Sequence, residues 1–325
     1  MSTIVPPPSQ PEETRSPLQT LLENPLAHDG FVFVQAEAMH SLLPGLTQWD
    51  QFAASWNDLG VDLYMADGGR YRRRRYATFS LSGETISRKP HQPHYQSRDY
   101  NTLNGGIERW FEPFLPETAT SPALEAILRL VCRVATDLTP PARRPGSWHA
   151  ETHQFRIEAQ SDKPGHPTPE GLHRDGVDWV CVIMIRRENV ACGETSIHDL
   201  NRQLVGSFSL TQPLAPAFLH VNPVYHGLMP VAPHDPIRPA LRHFLVVTLR
   251  HSPPSPAVIS ATPARAVRLF TRVGNSVQAQ CQNREHKQHG PRHLGTFAQA
   301  NPFRCLTSIR LRERFTHGLF PSARL

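Results

Sequence analysis

The sequence predicts a mainly β domain of the α+β kind, an antiparallel sandwich or barrel with flanking helices. Short alternating or apolar runs separated by turn residues recur in its second half: HQFRIEA (153–159), DWVCVIMIRR (178–187), ETSIHDL (194–200), PAFLHV (216–221) and RHFLVVTLR (242–250). No helical patterns are interleaved with them, as parallel βαβ units would require. The one sustained helical period precedes them, in LPETATSPALEAILRLVCRVATDL, where Leu124, Ile127, Leu128, Val131 and Val134 share a face behind a Ser/Pro start.

Residues 1–16 are Pro-rich and polar, a poor basis for a core. The stretch SPLQTLLENPLAHDGFVFVQ reads as a short helix ending near Pro25 and a strand at Phe31–Val34, and residues 1–25 are set apart as a flexible segment. The domain is expected to occupy residues 26–250. Beyond it the chain turns rich in Arg, Ser, Pro, His and Gln, with no sustained apolar period, so 251–325 is expected to be a basic, disordered tail.

That tail accounts for the charge. The chain carries 34 Lys/Arg against 28 Asp/Glu, a balance of +6. Residues 251–325 hold 11 of the basic residues and two acids, Glu285 and Glu313, which leaves 23 basic and 26 acidic side chains before them, or −3. A slightly acidic body removes the case for nucleic acid that the overall balance suggests. The Arg-rich run RYRRRRY (70–76) is then better read as a strand, with Arg70, Arg72 and Arg74 on one face and Arg73 and Arg75 on the other. One face could present a cation to a substrate carboxylate while the other is solvated. Five cysteines without a C-x-x-C pair argue against a disulfide framework and a zinc finger, and fit a reducing cytoplasm. No signal peptide and no apolar run of about 18 residues is present, so a cytoplasmic protein without membrane partners is expected.

The chemistry is concentrated in GLHRDGVDWV, residues 171–180. His-Arg-Asp suggests a kinase catalytic loop, but the Asn required five residues after Asp175 is Val180, and no Gly-rich loop, V-A-I-K strand or D-F-G accompanies it. His-x-Asp suggests instead the start of a non-haem iron site, which takes two histidines and a carboxylate on one face of the metal. On a strand His173 and Asp175 would point to the same side and Arg174 away. A second histidine must come from elsewhere, and NPVYHGLMPV offers His226; His220 is the rival, better read as packed locally. Arg242 opens the strand RHFLVVTLR and suits the far carboxylate of a bound 2-oxoglutarate. His198 and Asp199 are adjacent, face opposite ways and receive no metal role. In HQFRIEA, Gln154 and Arg156 share a face that could contact substrate or co-substrate. Trp179 and Tyr225 are read as packing residues.

Together HQFRIEA, PTPEGLHRDGVDWVCVIMIRRENVACGETSIHD, VNPVYHGLMPVAP and ALRHFLVVTL resemble the 2-oxoglutarate/Fe(II) dioxygenase family that includes bacterial free L-amino-acid hydroxylases of the L-isoleucine dioxygenase kind. The resemblance implies a double-stranded β-helix (jelly roll, cupin-like) core. It implies His173, Asp175 and His226 as the iron ligands and catalytic centre, Arg242 as the 2-oxoglutarate anchor, and Fe(II), 2-oxoglutarate and O2 as cofactor and co-substrates. A small substrate is expected, first a free L-amino acid, contacted by residues drawn from Gln154, Arg156, Arg72 and Arg74. The alternatives are a peptide or secondary-metabolite oxygenase and a non-catalytic jelly roll that binds a metal or small molecule. Family members often carry Gly-Gly before the position of Glu194; here Cys192-Gly193 stands instead. The tail matches nothing in the family. Truncation after His251 is expected to leave a soluble protein with unchanged turnover; loss of the fold or of activity would make residues 252–325 part of the enzyme.

Overall fold

The computed structural model describes residues 16–43, 46–221 and 223–251. The chain divides into two compact units, Met1–Ser255 and Pro256–Leu325. The second unit, and with it the expected tail beyond His251, lies outside the described residues.

Among the described residues twelve strands are formed: β1 (Phe31–Phe33), β2 (Arg72–Ser82), β3 (Thr85–Arg88), β4 (His94–Tyr95), β5 (Glu108–Arg109), β6 (Trp148–Ala159), β7 (Trp179–Glu188), β8 (Thr195–His198), β9 (Leu204–Phe208), β10 (Pro216–His220), β11 (Tyr225–Leu228) and β12 (Ala240–His251). Seven make an antiparallel sheet in the order β1-β10-β7-β12-β6-β2-β3, three make a smaller sheet, β11-β8-β9, and β4 pairs with β5. This is the jelly roll that the sequence implied. All five runs read as strands in the second half are strands here.

The register of the long strands decides what faces inward. Phe244 of β12 lies between Phe155 of β6 and Met184 of β7, Val246 between His153 and Val182, and Thr248 between Glu151 and Val180. On β2, Arg74, Tyr76 and Thr78 continue those rows opposite Phe155, His153 and Glu151. These residues stand toward the smaller sheet. Their alternates, such as Ala150, Leu245, Val247 and Leu249, belong to a buried core on the other side. There the helix Pro122–Leu138 packs, its buried face made by Leu124, Ile127, Leu128, Val131 and Val134 as the spacing predicted. Pro122 opens that helix, where a missing N–H costs nothing.

The N-terminal boundary falls earlier than residue 25. Leu18, Leu22 and Leu26 are buried in the same core, so residues 16–25 belong to the folded unit rather than to a flexible segment. The helical run also continues past Pro25: a wide turn at Gln19–Glu23 leads into Asn24–Asp29, and Gly30 ends it at φ 77°. Pro25 sits in the first turn of the second segment, just after the wide turn.

Trp56 shows how closely the outer layer is fitted to the sheet. It is fully buried, meets Phe52 edge-on, and its indole N–H is shared between the carbonyls of Phe155 (3.1 Å) and Phe244 (3.3 Å) on paired strands. Trp56→Phe keeps most of the apolar volume but removes the only donor in that pair. We expect it to cost about 1–3 kcal/mol, read as a fall of several degrees in Tm; an unchanged melting curve would show that the indole N–H contributes nothing.

Candidate active site

One cavity runs between the two sheets, and the sequence-singled residues His173, Asp175, His226 and Arg242 all line it. His173 and His226 are brought together by the backbone. His173 donates its N–H to the carbonyl of His226 (2.9 Å) and accepts from the N–H of His226 (3.0 Å), an isolated antiparallel bridge that sets the two imidazoles 4.4 Å apart. Asp175 does not continue a strand, as the period-two reading supposed; a turn through Gly176, at φ 70°, follows it. Its carboxylate nonetheless reaches both rings, Oδ1 standing 3.5 Å from His173 Nε2 and Oδ2 3.3 Å from His226 Nε2. One donor atom from each residue lies within 4.8 Å of the other two. Arg174 is directed away, its guanidinium 5.1 Å from the Tyr225 ring centre.

The electrostatics of this trio are those of ligands awaiting a cation. Burial favours the neutral imidazole, and at His226 it prevails, bringing the pKa down to about 4. At His173 burial acts the same way but the Asp175 carboxylate outweighs it, and the pKa rises to about 9. Burial works against the Asp175 charge, yet His226 and His173 hold its pKa at about 2. The Nδ1–H of His173 donates to the Gly171 carbonyl at 2.9 Å, which turns Nε2 toward Asp175 as the atom that would bind a metal in exchange for its proton. Two imidazoles and a carboxylate are the donor set that suits Fe(II) with open positions.

Arg242 stands at another part of the cavity, fully enclosed, with Nε and Nη1 buried and unpartnered among the described residues. Burial, with Arg187 nearby, lowers its pKa to about 10, so it remains a cation at neutral pH. A bare buried guanidinium is a fitting anchor for a carboxylate. Gly193 keeps room for it: at φ 104° it adopts a backbone that favours glycine, and a Cβ there would stand 3.0 Å from Arg242 Nη1. Cys192 has no positive φ, so a side chain at that position meets no such backbone restriction.

The wall formed by β2 and β6 is polar. Arg72 Nε (2.8 Å) and Arg74 Nη1 (3.4 Å) share Oδ2 of the buried Asp62. Arg74 is clamped between Phe111 and Phe155, 3.5 and 4.4 Å from the ring centres, and donates to His153 Nδ1. Behind this, Lys89 donates to His149 Nδ1, and Glu151 accepts from His149 Nε2 (3.3 Å) and His94 Nδ1 (2.8 Å). Burial leaves His94 and His153 as weak bases, so they stay neutral. His94, Glu151 and His153 also lie close enough together to hold a metal. Each of the three already makes a hydrogen bond, however, and Arg74 and Arg109 add positive charge beside them, which opposes a second dication. The part of the lining contributed by β7 and β10 of the same sheet, by contrast, is apolar, with Val180, Val182, Ala217 and Leu219.

The structure separates the proposed substrate contacts. Arg72 and Arg74 face the cavity. Gln154 and Arg156 do not: they occupy the outward parity of β6, where Gln154 donates to Ser55 Oγ and Arg156 pairs with Glu158. Their neighbours His153 and Phe155 face inward in their place. The second face of RYRRRRY is ion-paired, Arg73 with Glu158 and Arg75 with Asp58 and Glu112, instead of merely solvated. His220 stacks on Trp179 (4.5 Å, 17°), and His198 and Asp199 close a turn with Arg202 and Gln203. Sequence reasoning missed Asp62, His94, Gln96, Arg109, Glu151 and Glu170. Only Glu151 carried a signal, two residues ahead of the identified run and on the parity of His153 and Phe155.

Two imidazoles, a carboxylate and an unpaired arginine around one cavity in a jelly roll are the constellation of a non-haem iron oxygenase. The 2OG-Fe dioxygenase family matches residues 53–248, and the chain belongs to it. It is thus one of the enzymes that work with Fe(II), 2-oxoglutarate and O2. The chain is similar to an L-isoleucine-4-hydroxylase of Bacillus thuringiensis, 26% identical over 226 residues, covering 68% of this chain and 88% of that one. It is also similar to a 3(1)-hydroxy-L-isoleucine 4-dioxygenase of Pantoea ananatis, 26% identical over 206 residues, 63% and 82% of the two chains. Among solved structures, a bsmA homolog from Methylobium petroleophilum PM1 is 37% identical with a TM-score of 0.65, covering 72% of this chain and 93% of that one. The IDO structure from Bacillus thuringiensis, 19% identical with a TM-score of 0.60 over 73% of this chain and all of that one, shares the fold. Among the described residues no helix is long and apolar enough to cross a membrane.

Asp62 is the shared counter-charge of two buried arginines, and its carboxylate is held ionised by Arg74 and Arg72 against the cost of burial. Asp62→Ala strips both cations of it. We expect a loss of about 3–5 kcal/mol, measured by chemical denaturation; an unperturbed midpoint would show that the arginines find other compensation.

Proposed function

We propose that this enzyme hydroxylates an unactivated C–H bond of a free L-amino acid. The balance is one 2-oxoglutarate, one O2 and one C–H substrate consumed for one succinate, one carbon dioxide and one alcohol formed. His173, Asp175 and His226 hold the iron, Arg242 takes the distal carboxylate of 2-oxoglutarate, and Arg72 and Arg74 form part of the substrate end. The observation that carries the reading is the convergence on one cavity of the three-residue donor set and the unpartnered Arg242. The choice of a free amino acid is supported by the names of the two relatives. A non-catalytic jelly roll is the weaker alternative, since each bare N–H of Arg242 would stand as an uncompensated cost of about 1–3 kcal/mol.

Iron bound with 2-oxoglutarate supplies the oxidising power for C–H cleavage. The chain's own residues do the rest. Gly171 fixes the His173 tautomer so that Nε2 faces inward. Gln96 donates its side-chain amide to the Asp175 carbonyl at 3.1 Å and holds that loop in place. Val180, Val182 and Leu219 present an apolar wall against which a carbon chain can be aligned and water excluded.

Succinate release from 2-oxoglutarate, measured across the twenty L-amino acids with Fe(II), tests the reading directly. At least one amino acid should stimulate it strongly, and Asp175→Ala should lower it by about 100-fold or more. In parallel, Mn(II) should raise the Tm of the wild-type protein and not that of Asp175→Ala. Full succinate production by the variant would sink the ligand assignment, and no response to any amino acid would sink the substrate class.

A further inference from the structure

The described residues contain four buried arginines, and they fall into two kinds. Arg72 and Arg74 share the Asp62 carboxylate. Arg109 and Arg242 meet no carboxylate and make no hydrogen bond within the described residues, and both line the same cavity. Arg242 is accounted for by 2-oxoglutarate. Arg109 is not. It is 3% exposed, its Nε is buried without a partner, and its nearest aromatic neighbour is Phe111, 5.7 Å from the guanidinium carbon. Asp62, Glu170 and Glu151 act on it only from a distance, and burial outweighs them; a guanidinium withdrawn from water without a hydrogen-bonded counter-charge is costly, and the cost is recovered when an anion arrives.

A complementary vacancy of opposite sign lines the same cavity. Glu170 accepts from Asn101 Nδ2 through Oε1 at 3.3 Å, while Oε2 is buried and unpartnered. The other acid of that wall, Glu151, is already engaged by His94 and His149 and has no comparable vacancy. Glu170 lies within reach of the candidate iron centre, Oε1 standing 3.9 Å from His173 Nε2. Asn101, which orients Glu170, and Arg109 both belong to the excursion from β4 to β5. A guanidinium and a carboxylate on one cavity, each with a buried unpartnered atom, are the complement of a zwitterion.

We infer that Arg109 binds the α-carboxylate of the substrate and Glu170 its α-ammonium group, so that these two residues set the requirement for a free α-amino acid. The inference rests on the function proposed above and goes further by naming the residues that read the amino-acid head group. An ester, amide or peptide would leave Arg109 uncompensated, and a 2-hydroxy acid would leave Glu170 so. Each should be rejected whatever its side chain.

The test uses the full-length iron-loaded enzyme and the amino acid that stimulates succinate release most in the twenty-member panel. Its α-amide and its 2-hydroxy-acid analogue are run beside it with the wild-type protein. Each analogue should stimulate at least about 30-fold less, the discrimination expected when a buried charged partner is left unpaired. Arg109→Met should raise the KM for the amino acid by about 30-fold or more with little change in the KM for 2-oxoglutarate, Arg242→Met should do the reverse, and Arg109→Lys should recover part of the loss. Because the analogues probe the wild-type enzyme, a variant that fails to fold leaves the test intact. Amino-acid stimulation in which the amide is as good as the parent, or in which Arg109→Met leaves the amino-acid KM unmoved, overturns this inference alone. Stimulation by no amino acid at all overturns the proposed function, and the inference with it.

Discussion

The pairing of β12 with β6 on one side and β7 on the other is the constraint on which the rest of this structure depends. Twelve consecutive residues of β12, Ala240–His251, are in register with β6, and nine of them are also in register with β7. Because side chains alternate along a strand, that register fixes two sets at once. One set, Arg242, Phe244, Val246 and Thr248, enters the cavity; the other, Leu245, Val247 and Leu249, enters the core beneath the Pro122–Leu138 helix. A slip of one residue would bury the arginine in the apolar layer and turn the leucines toward the site. Stability and chemistry are therefore enforced by the same hydrogen bonds, and neither can be altered along these strands without the other.

The smaller sheet contributes what the long strands cannot, a point of convergence. His226 enters on β11, and His173 is paired to it by two backbone hydrogen bonds rather than by a continuous strand. The two imidazoles are thus set by main-chain geometry, and Asp175 alone comes from a turn. The Asp175 carboxylate is drawn toward both rings, and Gln96 and Gly171 remove two of the remaining degrees of freedom.

Much of this was legible in the sequence, for a physical reason in each case. Strands such as RHFLVVTLR are visible because one face is buried against a helix and the other lines a cavity, so apolar residues alternate with the few chemically distinctive ones. The ligand set was visible because His173 and Asp175 are close in sequence. What stayed hidden lies where neither local period nor proximity applies. Arg109 and Glu170 are 61 residues apart and meet only through the β4–β5 excursion, whose strands are two residues each and leave no period to read. Parity misled at HQFRIEA, where Gln154 and Arg156 look more chemical than His153 and Phe155 but face the other way. Asp62 was hidden by the absence of any pattern around it; its meaning appears only when two arginines of β2 are seen to share it.

The excursion between β4 and β5 does two things at once. Through Arg109 and Asn101 it lines the part of the cavity to which we assign the amino-acid head group, and through Gln96 it grips the backbone carbonyl of Asp175. Asn101 also donates to the Gln96 side chain, at 3.1 Å, so the two tasks are joined by a direct hydrogen bond. On the function proposed above, one element would then serve both sites, and any coupling between them would be reciprocal. Free energy that a substrate spends in tightening the hold on Asp175 would be returned by the metal as tighter retention of that substrate. Affinity for the substrate would in that sense be partly a property of the iron.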